Sequence, residues 1–190
     1  MFKKLFYLIL LSICMSACCT NTNTYESFSD EQKQLLYYLN GQLIQYDINN
    51  VDSQGLRVTD RYIGNLPPDE VEESTCDSYY PAYGKVTIKG LGDTSINFQI
   101  SIKKSNSESG ISKRVKWMGY EFNLDDTSKV FFYDSLFLRG ISEFNNVYEM
   151  NVPDTADTRS DLIYRVFFST EYGIIRFDRK GGKTYRLRVR

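Results

Sequence analysis

The chain has 190 residues, 42% hydrophobic and 25% charged, with 23 Lys and Arg against 24 Asp and Glu for a formal charge of −1. That length fits one ordinary domain with a substantial core, and the near-neutral balance argues against a dedicated nucleic-acid binder, which carries a basic surplus. There is no histidine and there are 4 cysteines, which excludes Ser-His-Asp and Cys-His catalysis, histidine-ligated metal centres and a disulfide scaffold.

At the N-terminus, Lys3 and Lys4 precede an apolar run over 5–15, followed by Ser16, Ala17 and Cys18. A basic start, a short apolar stretch and small residues together make a secretory signal peptide. The run is about eleven residues, short of the roughly twenty that a membrane-spanning helix needs. The Met15-Ser16-Ala17-Cys18 ending resembles the lipobox of bacterial lipoproteins. The resemblance implies cleavage after residue 17, and lipidation of Cys18 by a diacylglyceryl group and a fatty acid such as palmitate. It also implies a membrane anchor at the bacterial cell envelope, on the outer membrane or cell surface. Cys18 suits the acceptor position better than Cys14, which follows bulky Ile13. The alternative is an ordinary signal peptide with Cys18 and Cys19 as plain thiols. Removal of residues 1–17 takes away Lys3 and Lys4 and leaves 21 basic against 24 acidic side chains. Cys19 and Cys76 then remain, either paired with each other or unpaired.

Residues 18–28 are polar and aperiodic and read as a lipidated tether, with 29–190 as a single β-rich domain. Ser29 followed three residues on by Gln32 is a capping-box pattern, with Asp30 and Glu31 in the first turn. Leu35, Leu36 and Leu39 share a helical face and Gly41 supplies a stop, so a helix of about three turns is expected. Period-two stretches follow over 43–48, 56–63, 85–89, 96–102, 115–122, 130–138, 147–152, 162–169, 172–177 and 184–189. Asn49-Asn50, the segment 90–93 and Gly181-Gly182 punctuate them, and the last pair is expected to form a type I′ hairpin turn. The segment 65–81, with Pro67-Pro68 and five acids, reads as the long irregular insertion.

The 15 Tyr and 12 Phe suit half-buried pleated surfaces. The expected fold is mainly β: an antiparallel β-sandwich or an open curved half-barrel with one N-terminal α-helix. The run from Asp134 to Gly140, then Val147-Tyr148, then Phe167 to Phe177 is similar to the C-terminal hairpins of exported β-rich bacterial lipoproteins. That resemblance implies the antiparallel part of a curved sheet, as in lipoprotein carriers.

No P-loop, dinucleotide fingerprint or nucleophile elbow occurs, so no catalytic residue and no cofactor is assigned. Asn50, Asp52, Gln54 and Gly55 partly match a calcium loop, but Arg61 stands where the bidentate acid belongs. Asp154, Asp157 and Asp161 form a second acidic group, and both read as solvated turns, so no metal site is assigned. Tyr79, Tyr80 and Tyr83, with Trp117, are candidate ligand-binding residues for stacking on a glycan or peptide; the competing reading is that these rings cover the sheet. Arg176, Arg179, Arg186, Arg188 and Arg190 form a basic stripe expected to contact an anionic surface, or else to be solvated or paired with cross-strand acids.

The function expected is a lipid-anchored envelope protein acting as a non-enzymatic binding or interaction module, with the membrane, through the lipid, and a protein, glycan or lipid ligand as partners. A half-barrel carrier of an apolar ligand and a carboxylate-based carbohydrate-active enzyme are the alternatives.

Overall fold

The computed structural model describes residues 22–67, 71, 77–104, 110–138, 143–153 and 158–189. In chain order its elements are β1 (Thr22–Tyr25), α1 (Asp30–Gln34), β2 (Leu43–Ile48), β3 (Asp52–Asn65), β4 (Asp77–Tyr80), β5 (Ala82–Gly90) and β6 (Asn97–Lys104). These are followed by β7 (Ile111–Trp117), β8 (Tyr120–Asn123), β9 (Val130–Phe137), β10 (Glu143–Asn151), β11 (Ile163–Ser169), β12 (Gly173–Arg179) and β13 (Thr184–Leu187). Eleven strands form one antiparallel sheet in the order β8-β7-β6-β5-β3-β2-β13-β12-β11-β10-β9, curled into a nearly closed barrel. Of the two architectures expected from sequence, the curved one is found, and the sheet curls further than a half-barrel.

Hairpins explain most of this order, because strands joined by short turns pair with each other. The C-terminal strand β13 returns to β2, with Tyr185 opposite Ile48 and Leu187 opposite Tyr46, and so joins the two halves. The β2–β3 turn holds Asn49 and Asn50 at φ 49° and 63°, the type I′ geometry that matches strand twist. The Gly181-Gly182 expectation needs correction: only Gly182 takes a positive φ, 80°, within a wider turn closed by Arg179 and Lys183. The stretch 115–122 is two strands, split where Met118 and Gly119 adopt φ 49° and 88°.

Inward side chains fill the barrel. Phe98 meets Phe177 edge-on at 5.2 Å, Phe177 stacks on Tyr185 at 4.3 Å, and Tyr46 meets Phe177 at 5.4 Å. Rings from β6, β12, β13 and β2 thus meet across the interior. Such rings bury large apolar area and prefer offset or edge contacts. Trp117 stacks on Phe122 at 4.7 Å, and its indole N–H donates to the Ile163 carbonyl at 2.9 Å. This bond ties β7 to the start of β11 and helps close the seam between the two sheet edges.

The helix is shorter than expected. Its capping box forms as read, with Gln32 N–H donating to Ser29 Oγ at 3.2 Å and Ser29 N–H donating to Gln32 Oε1 at 2.9 Å. It ends at Gln34, because the chain then turns to bury Leu36 and Tyr38 in the barrel while Leu39 stays 67% exposed. The Tyr38 hydroxyl accepts the Ile174 N–H at 2.7 Å, a tertiary bond stronger than the local helical preference. Part of the expected tether is also strand: β1 pairs in parallel with β4, Tyr25 opposite Tyr80. Of the insertion over 65–81, residues 68–70 and 72–76 lie outside the described residues.

A candidate binding face on the outer wall

Alternation within β5, β6 and β7 sends their polar residues outward. The cross-strand rows are Lys85, Ser101 and Arg114, then Thr87, Gln99 and Lys116. Over this wall lie two grooves of about 550 and 390 Å³ that share Gln99 and Lys116. The larger runs towards the Thr94-Ser95 and Met118-Gly119 turns and is bounded by Arg159 and Asp161. The smaller runs towards Leu66, Tyr83 and Lys103.

The wall carries a local basic surplus that the whole-chain charge conceals. Lys85, Lys89, Lys103, Arg114 and Lys116 line the grooves, whereas Glu121 is the acid of the smaller one and is held by Arg114 at 2.9 Å. The Ser112 hydroxyl lines the smaller groove, buried and without a hydrogen-bond partner among the described residues.

Tyr83, which lines the smaller groove, belongs to a group of tyrosines at this end of the wall. Tyr25 stacks on Tyr80 at 4.7 Å, and Tyr62 lies 6.3 Å from Tyr83. The Tyr62 hydroxyl donates to the Asn65 carbonyl at 2.8 Å. The ring lies so close to Gly64 that a Cβ there would stand 2.5 Å from the hydroxyl oxygen, so only glycine permits this placement. Tyr79 points instead towards Glu26: burial first, and then the carboxylate, push its hydroxyl up to about 12. Glu26 is itself paired with Lys104 at 2.8 Å, which holds its carboxyl below the usual value despite opposing burial.

Tyr79, Tyr80 and Tyr83 therefore do share one end of the barrel, but Trp117 does not join them. It is 1% exposed, with its ring in the core. The basic stripe is corrected in the same way. Arg179 faces inward at 7% exposure, bonded to Asp93 and Ser95 at 2.8 Å each and set over the Tyr185 ring. Arg176 donates twice to Asp178 at 2.9 Å, Arg186 bonds Asn50, and Arg188 pairs with Asp47. Arg176, Arg179 and Arg188 are thus paired with acids, the competing reading given above, while Arg186 is held by a neutral amide. Cys18, Cys19, Cys76, Arg190, Asp154 and Asp157 lie outside the described residues.

Among the described residues no group of three or more Cys, Asp or Glu side chains is placed to hold a metal ion. Among them, too, no helix is long and apolar enough to cross a membrane. The β5–β7 wall was missed from sequence, although its signal was present in the alternation of Lys85-Val86-Thr87-Ile88-Lys89 and its partners. Nothing local reveals that three such strands lie side by side. No family model matches the chain, and no curated protein or solved structure is similar to it.

Proposed function

We propose that this chain is a lipid-anchored protein of the bacterial envelope that acts as a non-enzymatic binding module, with the outer wall of β5–β8 as its binding face. The observation that carries the reading is the pair of solvent-facing grooves, sharing Gln99 and Lys116, over a barrel filled by ring side chains. Ligand sites are concave and offer a few convergent polar groups, as this wall does. A carrier of apolar cargo is the weaker reading, since its cavity would occupy space taken by Phe98, Tyr46, Phe177 and Tyr185. Two-carboxylate hydrolysis is weaker too, because among the described residues each groove is lined by a single acid, Asp161 in the larger and Glu121, committed to Arg114, in the smaller.

The anchor would sit close to this face. β1 starts at Thr22, four residues beyond Cys18, and such a length of extended chain reaches about 14 Å. Cys18→Ala should abolish incorporation of labelled palmitate; label incorporated undiminished by the Cys18→Ala protein would contradict the anchor. A photo-crosslinker at Gln99 of the full-length protein in cells should trap a partner. The same group at Val51, 85% exposed on the β2–β3 turn, should trap none.

A further inference from the structure

We infer that the groove lined by Tyr83, Lys85, Lys103 and Lys116, with Tyr62 beside Tyr83, binds an acidic oligosaccharide, a sugar chain bearing carboxylate or sulfate groups; this rests on the binding-face reading above. Three features of different kind meet there. The first is charge: Lys85, Lys103 and Lys116 have no ion pair among the described residues, and the acid facing them, Glu121, is already held by Arg114. Cations on a concave wall raise the local potential and attract anionic ligands.

The second feature is the floor. Gln99 and Ser101 present an amide and a hydroxyl group to the groove. Such groups donate to and accept from the hydroxyls of a sugar. The third is a preorganised ring. Tyr62 is 43% exposed, yet it is fixed by its bond to Asn65 and by its seat over Gly64. In register it stands opposite Lys85. A held ring beside a lysine matches a sugar whose apolar face stacks on the aromatic while its anionic substituent meets the cation.

Each feature alone fits other ligands. A neutral glycan does not call for the basic surplus, and a bare polyanion does not call for the ring. Single-stranded nucleic acid uses cations and rings together, but along a track of successive platforms on a basic protein. Here Tyr62 and Tyr83 stand together at one place on the groove and form no such track.

Titration calorimetry on the folded protein, with a heparin-derived hexasaccharide as probe, tests the inference. Maltohexaose, polyphosphate and oligothymidylate serve as competitors. The acidic hexasaccharide should bind more tightly than all three, and its affinity should fall with added salt. Lys103→Ala/Lys116→Ala, at two exposed positions, should weaken it about tenfold. Tyr62→Ala should weaken it about fivefold, while Tyr62→Phe, which keeps the ring but loses the hydroxyl bond to Asn65 that holds it, should weaken it only about twofold. Equal binding of maltohexaose, tighter binding of polyphosphate or oligothymidylate, or unchanged affinity in the double-lysine variant would overturn the inference. A protein that ignores every probe yet crosslinks a partner at Gln99 overturns the acidic-sugar inference and leaves the binding face standing. Failure at Gln99 as well removes both.

Discussion

Asp93 and Arg179 show how a single ion pair joins distant parts of this barrel. Asp93 lies in the β5–β6 turn and Arg179 at the end of β12, 2.8 Å apart, with the arginine 7% exposed. Burial raises the Asp93 carboxyl, but hydrogen bonds from Ser95 and the Arg179 charge outweigh it, so its folded value lies below 3.8. A depressed carboxyl stabilises the fold fully above its unfolded value and loses that contribution as pH falls through the folded one. Resistance to urea should therefore fall as the solution is acidified below 3.8, and Asp93→Asn should flatten that dependence. Arg179→Met, which keeps the stem over Tyr185, should cost about 2 kcal/mol by leaving Asp93 unpaired. Gly173 is a second single-residue constraint. It holds φ 75°, and a Cβ there would overlap the Tyr38 phenol. Gly173→Ala should cost about 3 kcal/mol or more, whereas Tyr38→Phe, which deprives the buried Ile174 N–H of its acceptor, should cost about 1–3 kcal/mol.

The element with most apolar surface to hide is β9. It is one edge of the sheet, paired with β10 alone among the described strands, and it exposes Phe131 at 60% and Phe137 at 70%. Unpaired edges with exposed rings template further strands. Phe131→Lys/Phe137→Lys should therefore reduce self-association in sedimentation, with thermal stability changed by no more than about 0.5 kcal/mol per site. The elements also show what sequence can and cannot reveal. Alternation marked nearly every barrel strand, because one face of each is buried and the period is two. The Ser29 capping box marked the start of α1, but its end was set by Tyr38 reaching Ile174, a contact 136 positions away. β1 and β4 escaped notice because neither alternates; they pair only with each other. The Arg stripe was visible in sequence, but not the acids that engage it, Asp178 and Asp47, which arrive on neighbouring positions and strands.

At the scale of the whole molecule, the barrel separates two jobs. Rings fill the interior and hold the wall; the wall's polar face, with its local cations, is open to solvent. A formal charge of −1 gives no hint of that face, because acids elsewhere in the chain cancel it. The candidate site was thus legible residue by residue as outward-pointing polar positions, and illegible as a site, since adjacency of β5, β6 and β7 is a property of the sheet. The same separation distinguishes a module that binds on its outside from a carrier that encloses cargo. Native mass spectrometry of residues 20–190, produced without the leader and the anchor and purified without detergent, tests that distinction most directly. A packed interior predicts the bare polypeptide mass, with an adduct only when an outer-face ligand is added and its loss on Lys103→Ala/Lys116→Ala. A lipid-sized adduct that survives purification and is unaffected by those substitutions would mean that the barrel encloses cargo and would contradict the account.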